Sequence, residues 1–194
     1  MADQLLEVRD LTKEFSGTTV LRGITLGFRT DTYGHRTSGE VNSLWGPSLQ
    51  QPHPRAQYND ASGAVTLLPA SSKVLVDLTY DPRKRGLQWH RTYDVAFKGD
   101  YTFSNATQVT QHLKVELPLP GESIRLESFQ FELTGGASDA VVARTPAAGL
   151  MSASVEVAPG KTVHLKTGYR ARGMNDWRYV FPDASRIQGF ELAM

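Results

Sequence analysis

From Tyr93 to Phe103 every second residue is apolar or glycine: Tyr93, Val95, Phe97, Gly99, Tyr101 and Phe103. Asp94, Ala96, Lys98, Asp100 and Thr102 fill the places between. A helix would scatter these side chains around its circumference, whereas an extended chain sends alternate residues to opposite faces. The run therefore predicts one long strand with a buried and a wetted face. At about 3.3 Å per residue it is long enough that a bend or bulge is expected near Gly99.

Shorter runs repeat the pattern. Val74, Val76 and Leu78 alternate with Leu75, Asp77 and Thr79. Val109, Leu113, Val115, Leu117 and Leu119 share a phase, as do Val155 with Val157 and Val163 with Leu165. Ile124 and Leu126 hold one phase and Phe129, Phe131 and Leu133 the other, which predicts a bulge around Glu127-Ser128. Pro120-Gly121, Gly135-Gly136 and Pro159-Gly160 punctuate the runs, with glycine supplying the positive φ that tight turns require. Strands recurring with such punctuation predict an all-β fold: an antiparallel, sandwich-like domain over 63–194 with a short β-rich appendage at the N-terminus, 1–31. Between them, 36–45 is expected as a short helix grouping Val41, Leu44 and Trp45. The Pro-, Gln-, Ser- and Asn-rich stretch 46–62 is expected as a linker.

Composition removes several classes of function. The 21 basic and 20 acidic residues leave a net charge of +1, so no global field draws the chain to nucleic acid. The densest basic run, Arg83-Lys84-Arg85, has the size of a solvated turn. There are no cysteines, which excludes disulfides, thiolate metal sites and cysteine nucleophiles. No segment approaches the roughly 20 apolar residues that cross a bilayer as a helix, and no apolar signal core follows the polar start.

Two stretches resemble known families. Leu5-Leu6-Glu7-Val8-Arg9-Asp10-Leu11-Thr12-Lys13-Glu14-Phe15 and Val20-Leu21-Arg22-Gly23-Ile24-Thr25-Leu26 resemble the opening strands of ABC-transporter ATP-binding subunits. A phosphate-binding loop with its Gly-Lys-Ser/Thr should follow, and none is present. Gly39-Glu40-Val41-Asn42-Ser43-Leu44-Trp45-Gly46 occupies the region instead. No nucleotide is expected to bind, and 1–31 reads as a leader of possible foreign origin.

From about residue 32 the chain resembles CreD-like inner-membrane proteins. The likeness rests on Glu40-Val41, Leu44-Trp45-Gly46 and Pro52. Asp81-Pro82-Arg83-Lys84-Arg85-Gly86-Leu87-Gln88-Trp89-His90-Arg91-Thr92-Tyr93-Asp94-Val95-Ala96-Phe97 carries it further, followed by Gly99-Asp100-Tyr101-Thr102-Phe103-Ser104-Asn105 and the closing Phe190-Glu191-Leu192-Ala193-Met194. The resemblance implies a β-rich extracytoplasmic domain linked to cell-envelope integrity and anchored by inner-membrane helices. Its partners would be an envelope protein or its own membrane-embedded part, and no catalytic residue carries over.

The residues themselves point the same way. His35, His53, His90, His112 and His164 show no metal-ligand spacing and read as scattered surface or turn histidines. Gly-x-Ser-x-Gly is absent, and Gly136-Ala137-Ser138-Asp139 reads as a plain loop. No catalytic, cofactor or metal residue is assigned. Trp89, Tyr93, Tyr101, Tyr169, Trp177, Tyr179 and Phe181 form either a ligand-binding face or sandwich core. Arg170, Arg172, Trp177, Arg178 and Tyr179 are the candidate recognition residues, because Arg, Trp and Tyr dominate binding hot spots. The expectation is thus a non-enzymatic domain acting in binding or assembly. Its alternatives are an ABC-associated fragment without ATPase activity and a hydrolase whose site is assembled across strands. Asn105-Ala106-Thr107 matches a glycosylation sequon and is read as chance.

Overall fold

The computed structural model describes residues 7–9, 25–27, 45–85, 88–121, 124–136, 141–147, 149–182 and 187–194. Of the expected helix at 36–45 only Trp45, and of the expected loop Gly136-Ala137-Ser138-Asp139 only Gly136, fall within these residues, and His35 lies outside them.

The fold is all-β. One sheet holds β4 (Arg55–Asp60), β5 (Gly63–Leu67), β10 (Gln111–Pro118), β12 (Val141–Ala147) and β13 (Leu150–Val157) in the order β12-β13-β10-β4-β5. The second holds β6 (Ser71–Tyr80), β9 (Thr92–Ser104), β11 (Glu127–Thr134), β14 (Thr162–Met174) and β16 (Phe190–Ala193) in the order β11-β14-β9-β6-β16. A two-stranded ribbon joins β3 (Leu49–Pro52) to β15 (Trp177–Val180), and β7 (Arg83–Arg85) pairs with β8 (Gln88–His90). At the N-terminus β1 (Glu7–Arg9) and β2 (Thr25–Gly27) form an antiparallel pair, and β2 passes beside β15. Most ladders are antiparallel, but β3–β15 and β6–β16 run parallel.

The period-two runs set the core. Tyr93, Val95, Phe97, Tyr101 and Phe103 on β9, Val74 and Val76 on β6, and Val163, Leu165, Tyr169 and Ala171 on β14 are buried in one cluster. Ala56, Leu113, Val115, Ala153, Val155 and Val157 of the first sheet belong to the same cluster. Each fully buried Val, Leu or Phe side chain contributes about 1.5–3 kcal/mol relative to leaving it in water. The β3–β15 ribbon covers one end of the second sheet: Trp177 and Tyr179 both lie 6.4 Å, centroid to centroid, from Phe97, which stacks on Tyr169 at 4.9 Å.

Several local expectations change. Residues 46–62 are not a linker, because they carry β3 and β4, and Leu49 and Ala56 are fully buried. Proline at positions 52 and 54 only brackets a turn between these two short strands. No bulge forms at Gly99: β9 runs unbroken against both neighbours, pairing Gly99 with Val74 and Thr167. The glycine is needed because the Tyr101 ring folds back over it, 2.5 Å from where a Cβ would stand. The predicted bulge before Phe129 is present: the β11–β14 register shifts between Glu127 and Gln130, and Ser128 takes φ 52°. Gly135 (φ 94°) and Gly160 (φ 68°) supply the left-handed turn positions. Val109 lies before its strand and is exposed.

The sequon has a structural use. Asn105 is buried and closes the β9–β10 connection: its Nδ2 donates to the carbonyls of Val109 (2.9 Å) and Val157 (2.8 Å), while Oδ1 accepts from the Thr107 N–H and hydroxyl.

Candidate functional site

The five candidate recognition residues separate into two environments. Beyond Met174, Asn175 turns the chain with φ 73°, and β15 then alternates inward and outward. That alternation drives Trp177 and Tyr179 into the core, so neither can meet a partner. Arg178 projects outward and pairs with Asp176. Arg170 and Arg172 share the outer phase of β14, opposite the core-facing Tyr169 and Ala171.

These two arginines line a cleft of about 890 Å³ on the outer face of the second sheet. Its floor is the outward phase of β6, β9 and β14: Asp77, Thr79, Asp94, Ala96, Arg170 and Arg172. One wall is Ile124, Arg125 and Glu127, the approach to the bulge of β11. The other is Trp45-Gly46-Pro47, which lies along the end of β14. Met174 donates its N–H to the Pro47 carbonyl at 3.1 Å, and Ser48 Oγ donates to the Met174 carbonyl at 3.2 Å. Gly46, at φ 92°, passes so close that a Cβ would lie 2.3 Å from the Arg172 carbonyl oxygen. The indole of Trp45 rests against His90, with centroids 4.8 Å apart.

The charges in the cleft are unequal in freedom. Arg172 grips Asp94 with two contacts, Nε–Oδ1 at 2.9 Å and Nη2–Oδ2 at 3.1 Å, and reaches Asp81 at 3.7 Å. The hydrogen bonds to Asp94 raise the Arg172 pKa further, outweighing the effect of burial. Asp81 in turn accepts from Arg83 at 2.7 and 3.0 Å. Arg172 is thus a fixed part of the floor. Arg125 and Arg170 are exposed and make no ion pair or side-chain hydrogen bond among the described residues. They are the cations that a ligand or partner can still engage. Asp77 and Glu127 stand near them as acceptors, so the cleft offers both signs of charge beside an indole, a proline and an isoleucine.

A second polar cluster is sealed inside. His53 is 3% exposed, contrary to the expectation of a surface or turn histidine. Its Nδ1 hydrogen-bonds the Tyr179 hydroxyl at 2.8 Å, and that hydroxyl bonds the Tyr101 hydroxyl at 2.9 Å. Whichever tautomer the ring takes, Nε2 has no partner among the described residues. Phe181 packs on the imidazole with its centroid at 5.3 Å, and Tyr101, Tyr179 and Phe190 complete the cage. Burial pushes the imidazole down to about 4 and the two phenols well above their ordinary value. The sequence held no local signal for this network, since Tyr179 stands 126 residues from His53.

Two further described histidines lie away from both clusters. His112, exposed on the outer face of β10, pairs with Glu156 at 3.2 Å, and His164 meets the Thr102 hydroxyl at 3.2 Å. On the outer face of the first sheet Glu116 is buried between Arg55 (2.9 Å) and Lys114 (2.8 Å). Burial alone would raise its pKa, but the two cations hold it below the ordinary value.

Fold and site together define an all-β, sandwich-like domain with a mixed-charge cleft on an outer sheet face. No protein-family model, curated protein or solved structure matches the chain.

Proposed function

We propose that the chain is the non-catalytic extracytoplasmic β domain of an inner-membrane envelope protein, acting in binding or assembly through the outer-face cleft. The observation that carries the binding role is the pair Arg125 and Arg170: two exposed guanidiniums, free of partners among the described residues, that line one cleft with Trp45. Arginine and tryptophan side chains on a concave polar rim are the composition from which interface hot spots are built. The envelope assignment rests on the resemblance to CreD-like proteins, whose segments 81–97 and 99–105 lie on the β7–β8 hairpin and β9. The partner is an envelope protein or the protein's own membrane-embedded part.

The test is site-specific photo-crosslinking in a Gram-negative host, with the chain exported behind a membrane anchor. A photoreactive residue at position 125 or 170 should give a discrete adduct with an inner-membrane polypeptide, and the same residue at Lys161, exposed just before the far end of β14, should not. Arg170→Glu should remove the adduct formed from position 125. Equal labelling from all three positions would remove the cleft from the contact.

A further inference from the structure

The largest exposed aromatic of the described residues is not in the cleft. Trp89 on β8 is 64% exposed, the highest value among the large hydrophobic side chains. It pairs across the hairpin with Lys84, whose Nζ lies 5.7 Å from the centre of the indole. The hairpin has two sides. Arg83 reaches back to Asp81, and Asp81 meets Arg172 on the floor of the cleft, so Asp81 and Arg83 belong to the cleft side together with His90. Lys84 and Trp89 therefore occupy the other side, in the phase that lower down the ladder carries Tyr80 opposite the core-facing Tyr93. The hairpin extends the β6–β9 ladder past the core, and Tyr80 is already 49% exposed.

The charge is concentrated at the same place. Residues 81–91 contain four bases, Arg83, Lys84, Arg85 and Arg91, against one acid, Asp81, in a chain whose net charge is only +1. The exposed indole of Trp89 and the half-exposed phenol of Tyr80 thus share one side of the extended ladder with Lys84, within the most basic stretch of the chain.

We infer that the β7–β8 hairpin, through Trp89 and Lys84, is a contact site for an anionic bilayer surface. An indole beside an ammonium group is matched to the headgroup layer. The ring lies at the boundary of the acyl region, its N–H stays hydrated, and the cations meet lipid phosphates. A soluble polyanion would satisfy the cations and leave the indole in water, whereas a bilayer uses both features. This contact is separate from the cleft, and on an extracytoplasmic domain it would set which face turns to the membrane.

The experiment uses the full chain with vesicles of phosphatidylcholine alone and of phosphatidylcholine with one quarter phosphatidylglycerol. Flotation gives the partition coefficient, and brominated phosphatidylcholine reports depth by quenching tryptophan. Partition onto the anionic vesicles should exceed that onto neutral ones by about 10-fold at low salt and shrink as salt screens the surface. Quenching should disappear in Trp89→Phe, which leaves Trp45 and the buried Trp177 in place. Trp89→Ala and Lys84→Glu should each lower anionic partition by about 5-fold, with an unchanged circular dichroism spectrum because both side chains are exposed. Equal partition onto both vesicles, or full partition by Trp89→Ala, would overturn the inference. Binding to inorganic polyphosphate without vesicle partition would assign the cations to a soluble polyanion and also end it. Arg170→Glu separates the two proposals: it should leave vesicle binding intact, and its loss there would make the cleft the membrane contact instead.

Discussion

Lowering the pH from 7.5 to 4 protonates His53 in the unfolded chain well before it does so in the folded one. The unfolded imidazole titrates at its ordinary 6.5, and the folded one, desolvated in its aromatic cage, at about 4. A histidine with a depressed folded pKa contributes stability that is fully present above 6.5. That stability is lost as the pH falls toward the folded value, because the unfolded state then binds the extra proton. Over the interval the slope approaches 1.4 kcal/mol per pH unit, and the total loss assigned to His53 is about 3 kcal/mol. This is a large share of the 5–15 kcal/mol typical of a domain. The assay is urea unfolding at five pH values between 7.5 and 4, followed by fluorescence of the buried Trp177. His53→Gln keeps a hydrogen-bonding group for the Tyr179 hydroxyl and cannot titrate. It should cost about 1–2 kcal/mol at pH 7.5 through imperfect packing, yet give the flatter curve, meeting the parent near pH 5. Carboxylates such as Glu116 titrate in both proteins and cancel in the difference. Parallel pH curves for the two proteins would refute the reasoning, as would an NMR titration placing His53 near 6.5 in the folded state.

Further expectations rest on single contacts. Gly173→Ala should destabilise by about 2 kcal/mol in chemical denaturation, because the new Cβ meets the Tyr93 hydroxyl at 2.4 Å and Leu49 Cγ at 2.8 Å and disturbs the Tyr93 bond to the Asp176 carbonyl. Asn105→Ala should cost about 2–3 kcal/mol by leaving the Val109 and Val157 carbonyls without their donor, read as a fall in melting temperature. The sequon should also remain unmodified in a glycosylating host, since both Nδ2 bonds are internal. Glu116→Gln should cost about 1 kcal/mol at neutral pH, its partners Arg55 and Lys114 being half exposed. Glu116 has a depressed folded pKa, so this difference should persist above the ordinary carboxylate range and vanish as the pH falls below the folded value.

Period-two alternation made much of the second sheet legible from sequence. It placed Tyr93 to Phe103 on one strand with the buried face correctly chosen, and the phase change before Phe129 marked the bulge at Ser128. Pro159-Gly160 and Gly135-Gly136 marked turns because few other residues accept their backbone angles. Alternation says which residues share a face, and it is silent on what covers that face. Residues 46–62 looked like a linker because they are rich in Pro, Gln, Ser and Asn and carry little apolar content. β4 is strand because Lys114 and Val115 of β10 pair with Gln57 and Ala56. The same limit misplaced the candidate site. Trp177 and Tyr179 shared a segment with Arg170 and Arg172, but the turn at Asn175 and the parallel pairing with β3 sent the aromatics inward. Arg170 and Arg172 stayed on the outer phase of β14. Trp45, Arg125 and Arg170 come from three distant stretches, so only the packing of Trp45-Gly46-Pro47 along β14 and of 124–127 beside it could assemble the cleft.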